Sequence, residues 1–532
     1  MLTIRITLLF LFINSITVLS FDKDSIGVRI DINSNKFKYI LETIFLNYAD
    51  TVDIDLISEE AFRTMLNKLD RYSAYLDKDQ LYNKQVSNVG SEIGIGVELG
   101  YFGDTAVVYK VVDKSPADSS GIEPFDKILA INDVNVIGKS LVLIYQRLRG
   151  QRNSIVNLQV ESRFTKKIRE VQLTRREVPI SSLYISMVLP GTETGYINSK
   201  KFSKISHEEF SVVLDELVNE GMKNLIIDLR DNPGGFLEQV GLIVNEFLPD
   251  GNTISYTKAR NPIFSQRMES SAKCCCKELP LVMILNQNSA SACELFAGAI
   301  QDLDRGLVVG QRSFGKSSAQ QLWKMNDSTG FQMTVAEYFT PLGRSINIKE
   351  NDSVFLDPAM KLTVGDTTYN QIVEVINKFG GETKLPVFHS LKGRTLLGGG
   401  GIFPDYMVEE EKNTLLMDIF LQRYIIFEYV HNFLTDNYAI LKSEFNNMDS
   451  FVIKFRIPDK MLFDLKSLSY SKKIWNEEMF LKDKSAIRNH IKAEIARVLF
   501  GNRAYYAVLI RNDNYIEKAL EVMQESGSLI QN

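Results

Sequence analysis

Three short stretches hold residues whose types and spacing could do chemistry. The apolar run Leu281–Leu285 is followed by Asn286-Gln287-Asn288-Ser289-Ala290-Ser291-Ala292 and then a helical pattern to Leu303. A strand that ends in a serine-bearing turn and enters a helix is one way to present a nucleophile. It is also how ordinary helices are capped. A serine nucleophile needs a base and a site for the oxyanion. The chain has four histidines, His207, His389, His431 and His490, and none sits in a catalytic-looking turn. His207 falls in an amphipathic helical pattern before Glu208 and Glu209, which is not the spacing of a zinc-binding helix. Lysine can replace histidine when burial beside the nucleophile lowers its pKa. Lys316 stands in Arg312-Ser313-Phe314-Gly315-Lys316-Ser317, directly after the apolar strand Leu307–Gly310. Spacing alone equally allows a solvated loop lysine there. The third stretch is Asp231-Asn232-Pro233-Gly234-Gly235, after the apolar run 224–229. Paired glycines let backbone N–H groups approach a ligand closely, and the Ala292 N–H at a helix start could add a second donor aided by the helix dipole. The alternative is a strand-to-helix turn whose glycines serve its shape.

These residues need a scaffold that brings three distant turns together. From about residue 195 to 310 strand and helix patterns alternate, which predicts an α/β layer architecture. Helices are expected at 207–221, 237–247 and 292–303. One helix joins the strand before Ser291 to the strand before Lys316, so the two strands are expected to be neighbours with loops leaving one sheet edge. Residues 35–86 read as helical, 91–163 as a compact β-rich unit with one helix at 140–148, and 411–532 as mostly helical.

The bulk properties narrow the function. A chain of 532 residues predicts two to four domains. A net charge of −5 gives no reason to expect a nucleic-acid partner. Arg5 followed by the apolar run from Ile6 to Phe21 reads as a secretory signal peptide, with an uncleaved anchor as the alternative. The four cysteines, Cys274, Cys275, Cys276 and Cys293, form no disulfide framework and no metal-ligand spacing. No cofactor or metal is expected.

Taken together the motifs resemble the carboxyl-terminal processing, or tail-specific, proteases of the S41 serine peptidase group. Ser289-Ala290-Ser291-Ala292-Cys293-Glu294 is similar to that family's SASASE-type turn, Phe314-Gly315-Lys316 to its GK loop, and Leu229–Gly235 to its LR-x-NPGG turn. Lys316 follows Ser291 by 25 residues (316 − 291), the family's spacing. The resemblance implies a Ser291 nucleophile, a Lys316 base oriented by Gln320, and an oxyanion hole from Gly234 or Gly235 with Ala292. The β-rich unit resembles the family's PDZ domain. Gly94-Ile95-Gly96-Val97 matches the loop whose N–H groups capture a C-terminal carboxylate, and Ser115-Pro116-Ala117 with Gly121-Ile122 matches a further PDZ segment. The resemblance extends through Ala336–Ile346 and Gly398–Asp405.

The implied architecture is an α/β multidomain chain. It comprises a signal peptide at 1–21, an N-terminal helical region at 22–88, a PDZ domain at 89–165, a ClpP/crotonase-like protease core at 166–410 and a helical extension at 411–532. The implied activity is serine endopeptidase cleavage of exported proteins with accessible, apolar C-terminal tails, in the periplasm or cell envelope of a bacterium. The terminal helices leave room for self-association, and the tail reader for an adaptor protein. The competing reading is an inert PDZ-type tail-binding module. Three positions depart from the family pattern: Cys293 and Ser317 replace its usual Ser and Gly, and Phe125 stands where a PGD turn has Gly. At positive φ, Phe125 would be strained.

Overall fold

A computed structural model describes residues 23–163, 165–271, 276–347 and 386–531. The N-terminal apolar run, Cys274 and Cys275 lie outside the described residues. The chain divides into two units.

In the first unit (residues 23–75 with 331–333), α1 (Lys23–Asn47) precedes α2 (Ile54–Asn67). Asp53 caps α2 by accepting the Leu56 N–H at 3.0 Å. The Phe62 ring packs against Phe37 and Tyr75, with centroids 6.0 and 5.8 Å away.

The second unit (residues 76–330 with 334–531) opens with α3 (Lys78–Val89). There follow β1 (Val97–Phe102), β2 (Thr105–Val111), β3 (Lys127–Ile131), β4 (Ile155–Glu161) and β5 (Ile168–Thr174), antiparallel neighbours in chain order. Helix α4 (Leu141–Leu148) turns Ile144 and Leu148 onto Val156, Leu158 and Val160 in this sheet's core. Just before β1 the chain breaks at Gly96, with φ at 83°, where any Cβ would sit 2.3 Å from that of Ser115. Ser91–Gly94 pairs separately with Arg176–Pro179.

The central sheet has the order β6 (Leu183–Val188), β7 (Thr194–Ser199), β8 (Asn224–Asp228), β9 (Leu281–Leu285), β10 (Leu307–Gly310) and β11 (Tyr406–Met407). Only the β6–β7 pair is antiparallel. As expected, β9 and β10 are adjacent, with Met283 opposite Val308. Side chains alternate between the faces of a strand. Leu225, Ile227, Met283 and Leu285 face α5 (Ser206–Asn219), α6 (Leu237–Asn245) and α7 (Ala292–Asp302). Ile226, Val282, Ile284 and Val309 face the opposite layer.

That opposite layer is the C-terminal helical region. It runs α8 (Leu415–Gln422), α9 (Ile425–Glu444), α10 (Met448–Lys454), α11 (Asp459–Ser471), α12 (Glu477–Phe500), α13 (Asn502–Ile510), α14 (Asn514–Glu521) and α15 (Met523–Gln531). Met417, Phe420, Val508 and Ile516 belong to the same buried cluster as Ile226, Val282 and Ile284. The strands beneath are buried on both faces, which is why they read as continuous apolar runs.

The same helices grip the β1–β5 unit. Phe125 adopts φ of 75° and is 1% exposed. Its ring stacks on Phe427 of α9 at 4.2 Å, with His431 at 5.0 Å. The strained backbone at this departure from the PGD pattern is therefore matched by an aromatic contact onto the extension. Beside it the Arg497 guanidinium lies between the Tyr109 and Tyr505 rings, at 4.0 and 3.9 Å from their centroids.

Candidate active site

Ser289 and Ser291 have different fates. Ser289 is fully buried; its hydroxyl donates to the Leu229 carbonyl at 2.8 Å and accepts the Asn286 N–H at 2.9 Å. It ties the turn after β9 to the turn after β8. Ser291 stands at the N-terminus of α7 with φ 60° and ψ −116°, a conformation L-residues rarely adopt. Such strain persists only where surrounding contacts hold it, and it concentrates at functional sites. Here the neighbours are fixed on both sides, by Ala290 N–H to Asn232 O at 3.0 Å and by the Cys293 thiol to the same oxygen at 3.2 Å. Cys293 is thus a buried packing residue.

The glycine turn is pressed against this nucleophile turn. Gly234 has φ of 93°, and a Cβ there would lie 2.7 Å from the Ala290 oxygen and 2.8 Å from the Ala292 nitrogen. A Cβ at Gly235 would lie 1.9 Å from the Phe202 oxygen. Both positions therefore exclude any side chain. The Gly234 N–H donates to Asn232 Oδ1 at 2.9 Å, and Asn232 Nδ2 donates to Ser199 O at 3.0 Å. Asn232 shapes the turn and occupies the Gly234 donor, a role sequence reasoning did not assign.

Lys316 reaches the site on the loop after β10. The Phe314 N–H donates to Ser289 O at 3.0 Å. The principal link is Glu294, fully buried one turn into α7. Its Oε1 accepts from Ser313 Oγ at 2.5 Å and Gly315 N–H at 2.6 Å. Its Oε2 accepts from Ser291 N–H at 2.7 Å and Lys316 N–H at 2.9 Å. One carboxylate thus binds the backbone of both candidate dyad residues. Burial pushes its pKa up to about 7, against hydrogen bonds that pull it down. In the sequence, Glu294 three residues after Ser291 reads as a capping box; nothing local signals the second loop.

Gln320 donates to Ser318 O and Oγ at 3.1 and 2.9 Å, and to Thr334 Oγ1 at 3.2 Å. The histidines lie elsewhere. His207 pairs with Glu246 at 2.9 Å, and burial, reinforced by Lys166, holds His431 down to about 4. His389 stands on the short strand Val387–His389, and burial pushes His490 down to about 4.

In the β1–β5 unit, β1 pairs only with β2 among the described residues and is an edge. The Gly94-Ile95-Gly96-Val97 loop leads into it. The Ile95 carbonyl is fixed by the Ala117 N–H at 2.9 Å, and the Gly96 carbonyl by the Val112 N–H at 2.9 Å. The Leu99 N–H, two residues along the same edge from Val97, donates to the Tyr145 hydroxyl of α4 at 2.7 Å.

Comparison with known proteins matches segments of the chain to families. Residues 193–354 match peptidase family S41, residues 83–161 the PDZ domain, and residues 417–501 a family of unknown function, DUF8443. A carboxyl-terminal-processing protease of Picosynechococcus is 35% identical over 292 residues, covering 54% of this chain and 70% of that protein. The chain belongs to the carboxyl-terminal processing proteases of peptidase family S41. A second member, from Synechocystis, is 34% identical over 295 residues, 54% of this chain and 68% of that protein. Carboxy-terminal processing protease CtpB of Bacillus subtilis is 32% identical over 317 residues, 59% of this chain and 66% of that protein. Among solved structures, a photosystem II D1 C-terminal processing protease is 26% identical with a TM-score of 0.34, over 58% of this chain and 83% of that one. Strands β1–β4 lie within the PDZ match, and β7–β10 with α5–α7 lie within the peptidase S41 match.

Proposed function

We propose that this family member is a serine endopeptidase with a Ser291–Lys316 dyad that acts on exported proteins selected by their C-terminal tails. The observation that carries the reading is the Glu294 clamp, in which one buried carboxylate accepts from the backbone N–H of both Ser291 and Lys316. Neutral Lys316 takes the Ser291 proton as Oγ bonds to the scissile carbonyl carbon. The oxyanion is stabilised by the N–H groups of Gly235 and Ala292, because the Gly234 N–H is engaged by Asn232. Lys316 then protonates the leaving amine as the C–N bond breaks, leaving an acyl-enzyme on Ser291. Water attacks the ester carbon and gives a proton to Lys316; the acyl carbon–Oγ bond then breaks, Ser291 Oγ takes that proton back, and the new C-terminal carboxyl product leaves. Gln320 orients the lysine after leaving its present partners Ser318 and Thr334. Substrate tails add as a strand to the β1 edge, with their carboxylate at the Gly94–Val97 loop. Export follows from the N-terminal signal-like run.

The test uses an unstructured substrate with an apolar C-terminus and its tail-amidated form. Wild type is expected to cleave the free tail faster than the amidated one, and Ser291→Ala and Lys316→Ala to cleave neither. Tail binding without cleavage by wild type would instead make the chain a tail-binding module.

A further inference from the structure

The C-terminal helices belong to no described activity, yet they touch the oxyanion turn. Arg230 immediately precedes Asp231-Asn232-Pro233-Gly234-Gly235. Its guanidinium clamps Asp228 at the end of β8, with Nε 3.0 Å from both oxygens and Nη2 2.6 Å from Oδ2. The Tyr196 hydroxyl completes Asp228 at 2.8 Å. Burial works to raise the Asp228 pKa, but Arg230 overcomes it and holds the carboxyl below its usual range. The extension meets the guanidinium at a nitrogen Asp228 already uses: Asp513 Oδ2 lies 2.8 Å from Nη2, which is shared between the two carboxylates, and the Tyr515 ring centroid is 4.7 Å from the guanidinium carbon.

Asp513 is itself fixed. It is the N-cap of α14, and its Oδ1 accepts the Tyr515 N–H at 2.9 Å and the Ile516 N–H at 3.3 Å. Helix α14 packs on β9 and β10, the strands that carry Ser291 and Lys316. One carboxylate therefore caps a helix seated on the catalytic strands and holds the arginine that begins the oxyanion turn.

We propose that Asp513 is a positioning residue for the oxyanion hole, so that the end of the C-terminal extension acts as an integral part of the catalytic core. The inference rests on the Ser291–Lys316 reading. Asp513 touches no substrate; it acts through Arg230, whose place sets where the Gly235 N–H points.

The clean variant is Asp513→Asn, because asparagine caps helices as well as aspartate does while losing the charge that faces Arg230. The control is Arg503→Gln, which breaks another extension-to-core pair, with Glu220 at 2.6 Å, away from the turn. Oxyanion contacts act in the transition state and not in substrate binding, so kcat should move without KM. Asp513→Asn is expected to lower kcat about tenfold, less than the roughly 10²–10³ that removing an oxyanion donor costs. KM and the melting temperature should stay near wild type, and Arg503→Gln should keep wild-type kcat. An unchanged kcat, a change confined to KM, or an equal loss in Arg503→Gln would overturn the proposal. An inactive wild type would instead overturn the dyad reading beneath it.

Discussion

Replacing Glu294 with glutamine is the most informative single change at the site. The carboxylate accepts four hydrogen bonds, two on each oxygen. The amide keeps one oxygen and turns an NH2 toward the other pair of donors. If that NH2 faces Ser291 and Lys316, both dyad backbones lose their acceptor; in the other orientation the Lys316 loop loses two. Each buried donor left unsatisfied costs about 1–3 kcal/mol, so two cost roughly 2–6 kcal/mol. The opposing effect is relief of a buried charge. Burial carries the carboxyl from 4.5 to about 7, which corresponds to about 3 kcal/mol. Global stability should therefore change by between about 1 kcal/mol of stabilisation and about 3 kcal/mol of destabilisation. The geometry of the dyad has no such offset, and a displacement near 1 Å costs about 10²-fold in rate. The assay is steady-state cleavage of a tailed substrate beside urea unfolding of the same preparation. The expected result for Glu294→Gln is kcat down about 100-fold with a modest stability change. A variant within twofold of wild-type kcat would refute the idea that Glu294 holds the dyad together.

Three further outcomes follow from particular contacts. The free energy of unfolding of wild type relative to Glu294→Gln should fall by about 3 kcal/mol as pH rises from 4.5 to 7, because a carboxyl whose folded pKa is raised stabilises the fold while protonated and loses that contribution on ionising; a difference that grows with pH would contradict the burial argument. Phe125→Gly should relieve about 1–2 kcal/mol of backbone strain but lose a buried ring worth roughly 3–5 kcal/mol, so thermal unfolding should show net destabilisation, and a stabilised variant would remove the ring's role as an anchor on α9. Tyr145→Phe frees the Leu99 N–H, and titration with an apolar-tailed peptide should give a Kd lower by about twofold to tenfold, the worth of one competing hydrogen bond; weaker binding would mean that Tyr145 helps to hold the tail.

The catalytic scaffold was legible because it is local and periodic. Leu281–Leu285 is apolar at every position, the helix after Ser291 follows at once, and one crossover makes β9 and β10 neighbours. Residue types and spacing alone did not separate Ser289 from Ser291; the resemblance to the SASASE-type turn pointed to Ser291, and in the structure burial and backbone torsion set the two serines apart. Glu294 stood in the quoted motif, but its second set of partners lies about twenty residues on, and a helix N-terminus already explains an acidic residue there. Gly234 and Gly235 are equivalent in sequence; the side chain of Asn232 distinguishes them. The sequence pattern treated the C-terminal helices as an appendage; the structure makes them the second layer over β9, whose five residues are apolar on both faces and must be covered twice. Thr253–Lys258 and Gly330–Phe339 were missed as strands although polar and apolar residues alternate over Thr253–Thr257 and Phe331–Val335, because the reading followed continuous apolar runs.

The central claim is that Ser291 is a nucleophile activated by Lys316. The most direct measurement is stoichiometric labelling with a serine-directed organophosphonate, mapped by peptide mass spectrometry across a pH series. The account predicts one adduct per chain, on Ser291, formed faster as pH rises and lost in Lys316→Ala. An adduct on another residue, or equal labelling of Ser291 without Lys316, would contradict it.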